Sequence, residues 1–173
     1  MKRLLTSVAL LGACLPTLAD TSPADGYQLP TDTVLKVQVL MDKNISQGET
    51  VSHLLLKSTG SETGATLPER CLLSADAAID QGKLSLHVNR ALCVEPNGHI
   101  FDGVMDAVII SDSGNQGITT PCVGSSCSQA VLQAGIDYRL KLNKSADIAL
   151  VVNQTEQINI QRRNHAPDAA AAQ

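Results

Sequence analysis

Aromatic residues are nearly missing from this chain. Among 173 residues there is no Trp, one Phe (Phe101) and two Tyr (Tyr27, Tyr138). That excludes the stacking platforms on which single-stranded nucleic acid is bound, and it leaves Val, Leu, Ile and Ala to build the core. Basic clusters are missing too. After Lys2 and Arg3 no run of Lys or Arg occurs, and the net charge is −4. Tight binding to phosphate backbones is therefore not expected. Long apolar runs are confined to residues 4–15, too few to span a bilayer as a helix, so no transmembrane helix is expected.

The chain has instead a basic start followed by that apolar run. Lys2 and Arg3 precede residues 4–15, Pro16 breaks them, and Thr17-Leu18-Ala19 supply small residues at the positions a signal peptidase reads. A signal peptide over residues 1–19, cleaved before Asp20, is the expectation. Leu11-Gly12-Ala13-Cys14 offers an alternative, a lipobox in which Cys14 is lipidated and becomes the new N-terminus. Loss of residues 1–19 removes two cations and no acid, taking the charge to −6.

Beyond Cys14 the cysteines number four: Cys71, Cys93, Cys122 and Cys127. An even count in an exported chain reads as two disulfides. Of three possible pairings, Cys71–Cys93 with Cys122–Cys127 is preferred. The rival is a zinc site combining these cysteines with His87 or His99, but a lone C-x4-C without a second pair is a poor zinc signature.

Alternation with a period of two dominates the rest. Residues 33–40, 51–57, 84–94, 99–110 and 136–142 read as strands, with a short one near 69–74 and two closing ones at 147–153 and 156–161. Asp80-Gln81-Gly82 and Pro96-Asn97-Gly98 are turn signals. Gly103 suggests a bulge or bend. Residues 111–128 form a Gly/Ser-rich excursion pinned by a cysteine loop, followed by one helical turn at 129–133. The expected organisation is a linker at 20–32, an all-β domain at 33–163 and a disordered tail at 164–173. The domain is a small β-barrel or sandwich of about seven to nine short strands with a disulfide-pinned loop.

Catalytic patterns are sparse. His53, His87 and His99 fall on strands and, with His165, show no metal-ligand spacing. Gly124-Ser125-Ser126-Cys127 lacks the surroundings of a nucleophile elbow. Asp102 and Asp106 on one strand face would lie about 13 Å apart, too far for paired-carboxylate hydrolysis, and Asp76 with Asp80 reads as solvated charge. Gly114-Asn115-Gln116-Gly117 is a turn without the helix or lysine of an anion site. No enzyme, cofactor or metal is expected, so function should reside in surfaces and edges.

A longer pattern carries a resemblance. Pro68-Glu69-Arg70-Cys71-Leu72-Leu73-Ser74 is followed by residues 84–89, Arg90-Ala91-Leu92-Cys93-Val94, Asn97-Gly98-His99 and Asp112-Ser113-Gly114-Asn115-Gln116-Gly117-Ile118. With Tyr27-Gln28-Leu29-Pro30-Thr31-Asp32-Thr33 upstream and residues 134–142 downstream, the order resembles the C-terminal β domain of the TraB/TrbI family of conjugative type IV secretion proteins. The likeness covers roughly residues 27–145. It implies a structural, homo-oligomeric ring subunit, periplasmic and associated with the outer membrane, whose partners are lipoprotein and secretin-like subunits. It also implies that Cys71 and Cys93 are a structural pair. The chain departs from the family in having a signal where members carry an inner-membrane helix and a Pro-rich stalk. It also has only residues 119–128 where many carry a two-helix antenna. A trimmed version of the ring domain is what the resemblance implies. The rival class is a free periplasmic or surface binding module, adhesin-like or pilus-linked.

Overall fold

The computed structural model describes residues 26–119, 122–123, 127–151, 158–159 and 161–163. Residues 1–25 and 164–173, which include Cys14 and the stretches read as signal and tail, lie outside them. The architecture is all-β, as the alternation predicts.

Six strands close on themselves: β2 (Val34–Val39), β4 (Thr50–Ser61), β5 (Cys71–Asp80), β6 (Lys83–Val94), β7 (Ile100–Ile110) and β10 (Tyr138–Leu142). Each is antiparallel to the next, and β10 returns to β2, so the barrel has no open edge. Two insertions build a second sheet at one end. β3 (Lys43–Ser46), between β2 and β4, pairs with β9 (Gln129–Leu132), which also pairs with β8 (Cys122–Val123). β1 (Tyr27–Leu29) pairs with β11 (Ala146–Leu150), and β11 continues onto the start of β7.

Period two decides which side chains go inside. Leu84, Leu86 and Val88 on β6 are buried while His87 between them is exposed, and Leu35, Val37 and Val39 of β2 point inward. A six-stranded barrel is narrow, which explains β5. Ala75 and Ala77 are wholly buried there, opposite Val88 and Leu86, because a larger side chain would overfill the lumen. Ile45, Ala130 and Leu132 of the small sheet and Leu67 of the 62–70 loop are also buried. The fully buried Ser58 anchors that loop by donating to the Leu67 carbonyl at 3.2 Å.

Gln81 (φ 48°) and Gly82 (φ 73°) form the two-residue β5–β6 hairpin, whose successive positive φ values match a type I′ turn. At the β6–β7 hairpin the Gly98 amide donates to the Glu95 carbonyl and Gly98 has φ 85°, a three-residue loop ending in a left-handed glycine. Gly103 has a different cause from the expected bulge. β11 crosses so close that a Cβ there would fall on the Asp147 carbonyl and 2.9 Å from Cα of Ile148.

Four expectations are corrected. The strands number eleven among the described residues, and β4 and β6 reach 12 residues. The stretch read as linker contains β1, because Leu29 is buried and Tyr27 packs on Phe101 with ring centroids 5.2 Å apart. Residues 129–133 contain strand β9 rather than a helical turn, since β3 and β8 supply partners on both sides. Residues 158–159 and 161–163 are helical rather than strand, and Ile158 is exposed, so no sheet partner imposes extension there.

Candidate functional site

Of the two disulfides expected from the sequence, the Cys71–Cys93 bond is present. Cys71 and Cys93 face each other across β5 and β6, both buried, and are joined by a disulfide. Cys127 is also disulfide-bonded. Cys122 opens β8 opposite Ala130. With Cys71 and Cys93 oxidised they are not zinc ligands, and among the described residues no group of three His, Cys, Asp or Glu could hold a metal ion.

The histidines and acids serve separate local roles. His87 Nε2 lies 3.1 Å from Asp106, whose carboxylate also accepts from Asn143 at 2.8 Å and pairs with Lys144 at 3.3 Å. The Asn143 hydrogen bond first, and then His87, hold the Asp106 carboxyl below its ordinary range. Asp102 is gripped by Arg90 with both guanidinium contacts, which lowers its carboxyl likewise. Asp76 accepts from the His53 amide and the Asn89 side chain. His53 sits at φ 57° where the β4–β5 register shifts. His99 stacks edgewise on Phe101.

Two groupings escaped the sequence. In the first, the buried Glu95 accepts from the Tyr27 hydroxyl and from Asn97, which ties β1 to the β6–β7 hairpin beside Phe101. The second centres on Arg139 of β10. It donates to Glu62 through Nε at 3.0 Å and Nη2 at 2.7 Å, and to the carbonyls of Ser111 and Asp112 at 3.0 and 3.2 Å. This clip holds the 111–118 excursion against the barrel and pushes the Glu62 carboxyl down through the Arg139 hydrogen bond. A cleft of about 700 Å3 opens beside it, lined by Lys36, Asp112, Thr119, Ile136 and Asp137 among others. The only sequence signal for it was a strictly alternating strand with an outward Arg.

Compared with known proteins, the chain matches no family model and no curated sequence.

The outer wall has the most distinctive surface. Registers place Leu72 of β5 beside Leu92 of β6, Val94 beside Ile100 of β7, and Arg90 beside Val104. Val151, whose amide donates to the Ile100 carbonyl, extends the row. All six of these aliphatics are exposed, Val104 by 77%. Among the described residues no helix is long and apolar enough to cross a membrane.

Proposed function

We propose that the chain is a structural subunit of a conjugative or type IV secretion assembly, periplasmic and associated with the outer membrane, acting through protein–protein contacts and not by catalysis. One observation carries this reading. The barrel interior is filled with side chains, and exposed aliphatic surface is instead concentrated on the outer wall of β5, β6 and β7. Contiguous apolar surface of that kind marks an interaction site. The order of motifs shared with the TraB/TrbI β domain supports the choice of assembly. The buried Cys71–Cys93 bond fits an oxidising compartment.

The test is detergent extraction of a tagged chain from envelopes of the source cells under native conditions. A large complex containing lipoprotein or secretin-like subunits is expected. Quantitative release as a soluble monomer free of partners would overturn the reading. The cleft beside Arg139 favours a second reading, a free binding module. Under that reading the purified monomer would take a small ligand whose binding is lost in Arg139→Ala.

A further inference from the structure

We infer that the cleft beside Arg139 binds a short peptide that carries both a free carboxylate and a free ammonium group. This deepens the second reading, that of a binding module, and rests on it.

The outer face of the barrel forms the floor of the cleft. Lys36 of β2 lies between Arg139 of β10 on one side and Gly60 of β4 on the other. Nothing lies within 4 Å of the place where a Cβ on Gly60 would stand, so the floor beside Lys36 is open. The 111–118 excursion, held down through the Ser111 and Asp112 carbonyls, forms one wall. At about 700 Å3 the cleft has the size of a site for a small organic ligand.

Its charged groups divide into an engaged pair and an unengaged set. Arg139 uses Nε and Nη2 on Glu62 and Nη1 on the two carbonyls. Lys36 acts on Glu62 only through space and makes no hydrogen bond or ion pair among the described residues. Asp137 accepts from Gln38 at 2.8 Å and from Thr59 at 3.0 Å. Both bonds fall on Oδ1, which fixes the side chain, and Oδ2 accepts from no described residue. The Asp112 carboxylate, across the cleft, likewise accepts no hydrogen bond among them.

One unengaged cation and two unengaged carboxylates call for a ligand with charges of both signs. A carboxylate meets Lys36, and an ammonium group meets the fixed Asp137. Ile136, 49% exposed, adds an apolar contact for a short side chain. Other ligand classes fit less well. A phosphate would face Asp112 and Asp137, and an acyl chain would cover Lys36 and Asp137 without giving them partners. Among the described lining residues the one aromatic ring is Tyr138, which is buried and accepts from the Gln133 amide, so no ring face is offered to a base. In a cell envelope two sources carry the required chemistry. One is the stem peptide of the wall, whose diamino acid has a side-chain ammonium group, and the other is fragments of ordinary proteins.

The test is isothermal titration calorimetry of the full chain, exported and purified, with two peptides. One is the stem tripeptide alanyl-γ-glutamyl-diaminopimelate, and the other is alanyl-glutamyl-lysine with ordinary linkages. At least one should bind with Kd below about 1 mM. Binding of the stem peptide alone assigns the site to the wall, and similar binding of both assigns it to peptides in general. Acetylating the side-chain amine should weaken binding to wild type at least about tenfold, and should have little further effect in Asp137→Asn, which keeps the Oδ1 acceptor. Lys36→Gln should weaken binding of the unmodified peptide by a similar factor, with circular dichroism unchanged because Lys36 points outward. The inference is overturned if neither peptide binds at millimolar concentration, or if acetylation and Lys36→Gln leave binding unchanged. The binding-module reading fails separately. A thermal-shift screen of sugars, nucleotides and fatty acids that finds an Arg139-dependent ligand would keep the cleft as a site while overturning the peptide, and a screen with no ligand at all would remove both.

Discussion

Removing the Cys71–Cys93 cross-link should lower stability by about 3 kcal/mol, the chain-entropy value for a closed loop of this length. The bond spans a sequence separation of 22 and joins directly opposed residues of β5 and β6. Both side chains are buried in the barrel, so a simple double Ala replacement would add a cavity cost to the entropic one. Cys71→Ala with Cys93→Val keeps the volume close to constant and isolates the cross-link. Cys127 and its own disulfide stay untouched, which a reducing agent would not allow. A single domain has about 5–15 kcal/mol in total, so the loss is a large fraction of the whole and should lower Tm by roughly 10 °C. The assay is equilibrium urea unfolding of wild type and variant without reductant. A loss below about 1 kcal/mol with an unchanged m-value would refute the reasoning, because it would mean that the cross-link removes little freedom from the unfolded chain.

Gly103→Ala should cost about 1–3 kcal/mol, since the new Cβ meets the β11 backbone, and thermal unfolding would show it. Ser58→Ala should cost on the order of 1–3 kcal/mol by leaving the Leu67 carbonyl without its donor, with proteolysis of the 62–70 loop as a second readout. Glu62, Asp102 and Asp106 have carboxyls lowered by their partners, so the folded state binds their protons less tightly than the unfolded one. Their stabilisation is complete above the unfolded carboxylate range and is lost as pH falls below about 4. Urea midpoints that do not change across that range would contradict it. Burial raises the Tyr138 phenol, so its contribution is present below about pH 10 and lost as pH rises through the folded value. Phenolate absorbance that rises together with unfolding would show this.

The long strands were legible because inward Leu, Val and Ile alternate with polar residues, as in β6 and β10. The second half of β5 was not, because Ser74-Ala75-Asp76-Ala77-Ala78 carries Ala, a strong helix former. Only the width of the lumen, a tertiary fact, makes Ala the right inward residue there. β1, β3 and β9 have three or four residues each and exist through partners distant in sequence, such as Tyr27 opposite Ile148 and Lys43 opposite Leu132. Local periodicity carries no trace of such pairing. The Cys71–Cys93 bond was legible from cysteine count and spacing. The clip at Arg139 and the Tyr27–Glu95 tie were not, because their partners lie 77 and 68 residues away. The aliphatic wall was hidden for a further reason. On a strand, an outward Leu92 reads the same as an inward one until the register is known.

The most direct test of a contact role for the outer wall is side-chain footprinting by hydroxyl radicals. It compares the purified monomeric chain with the chain in native envelopes. Leu72, Leu92 and Val104 should be strongly protected in the envelope and reactive in the monomer. The exposed Ile158 and the already buried Leu73 should change little. Equal reactivity of the wall in both states would contradict the account.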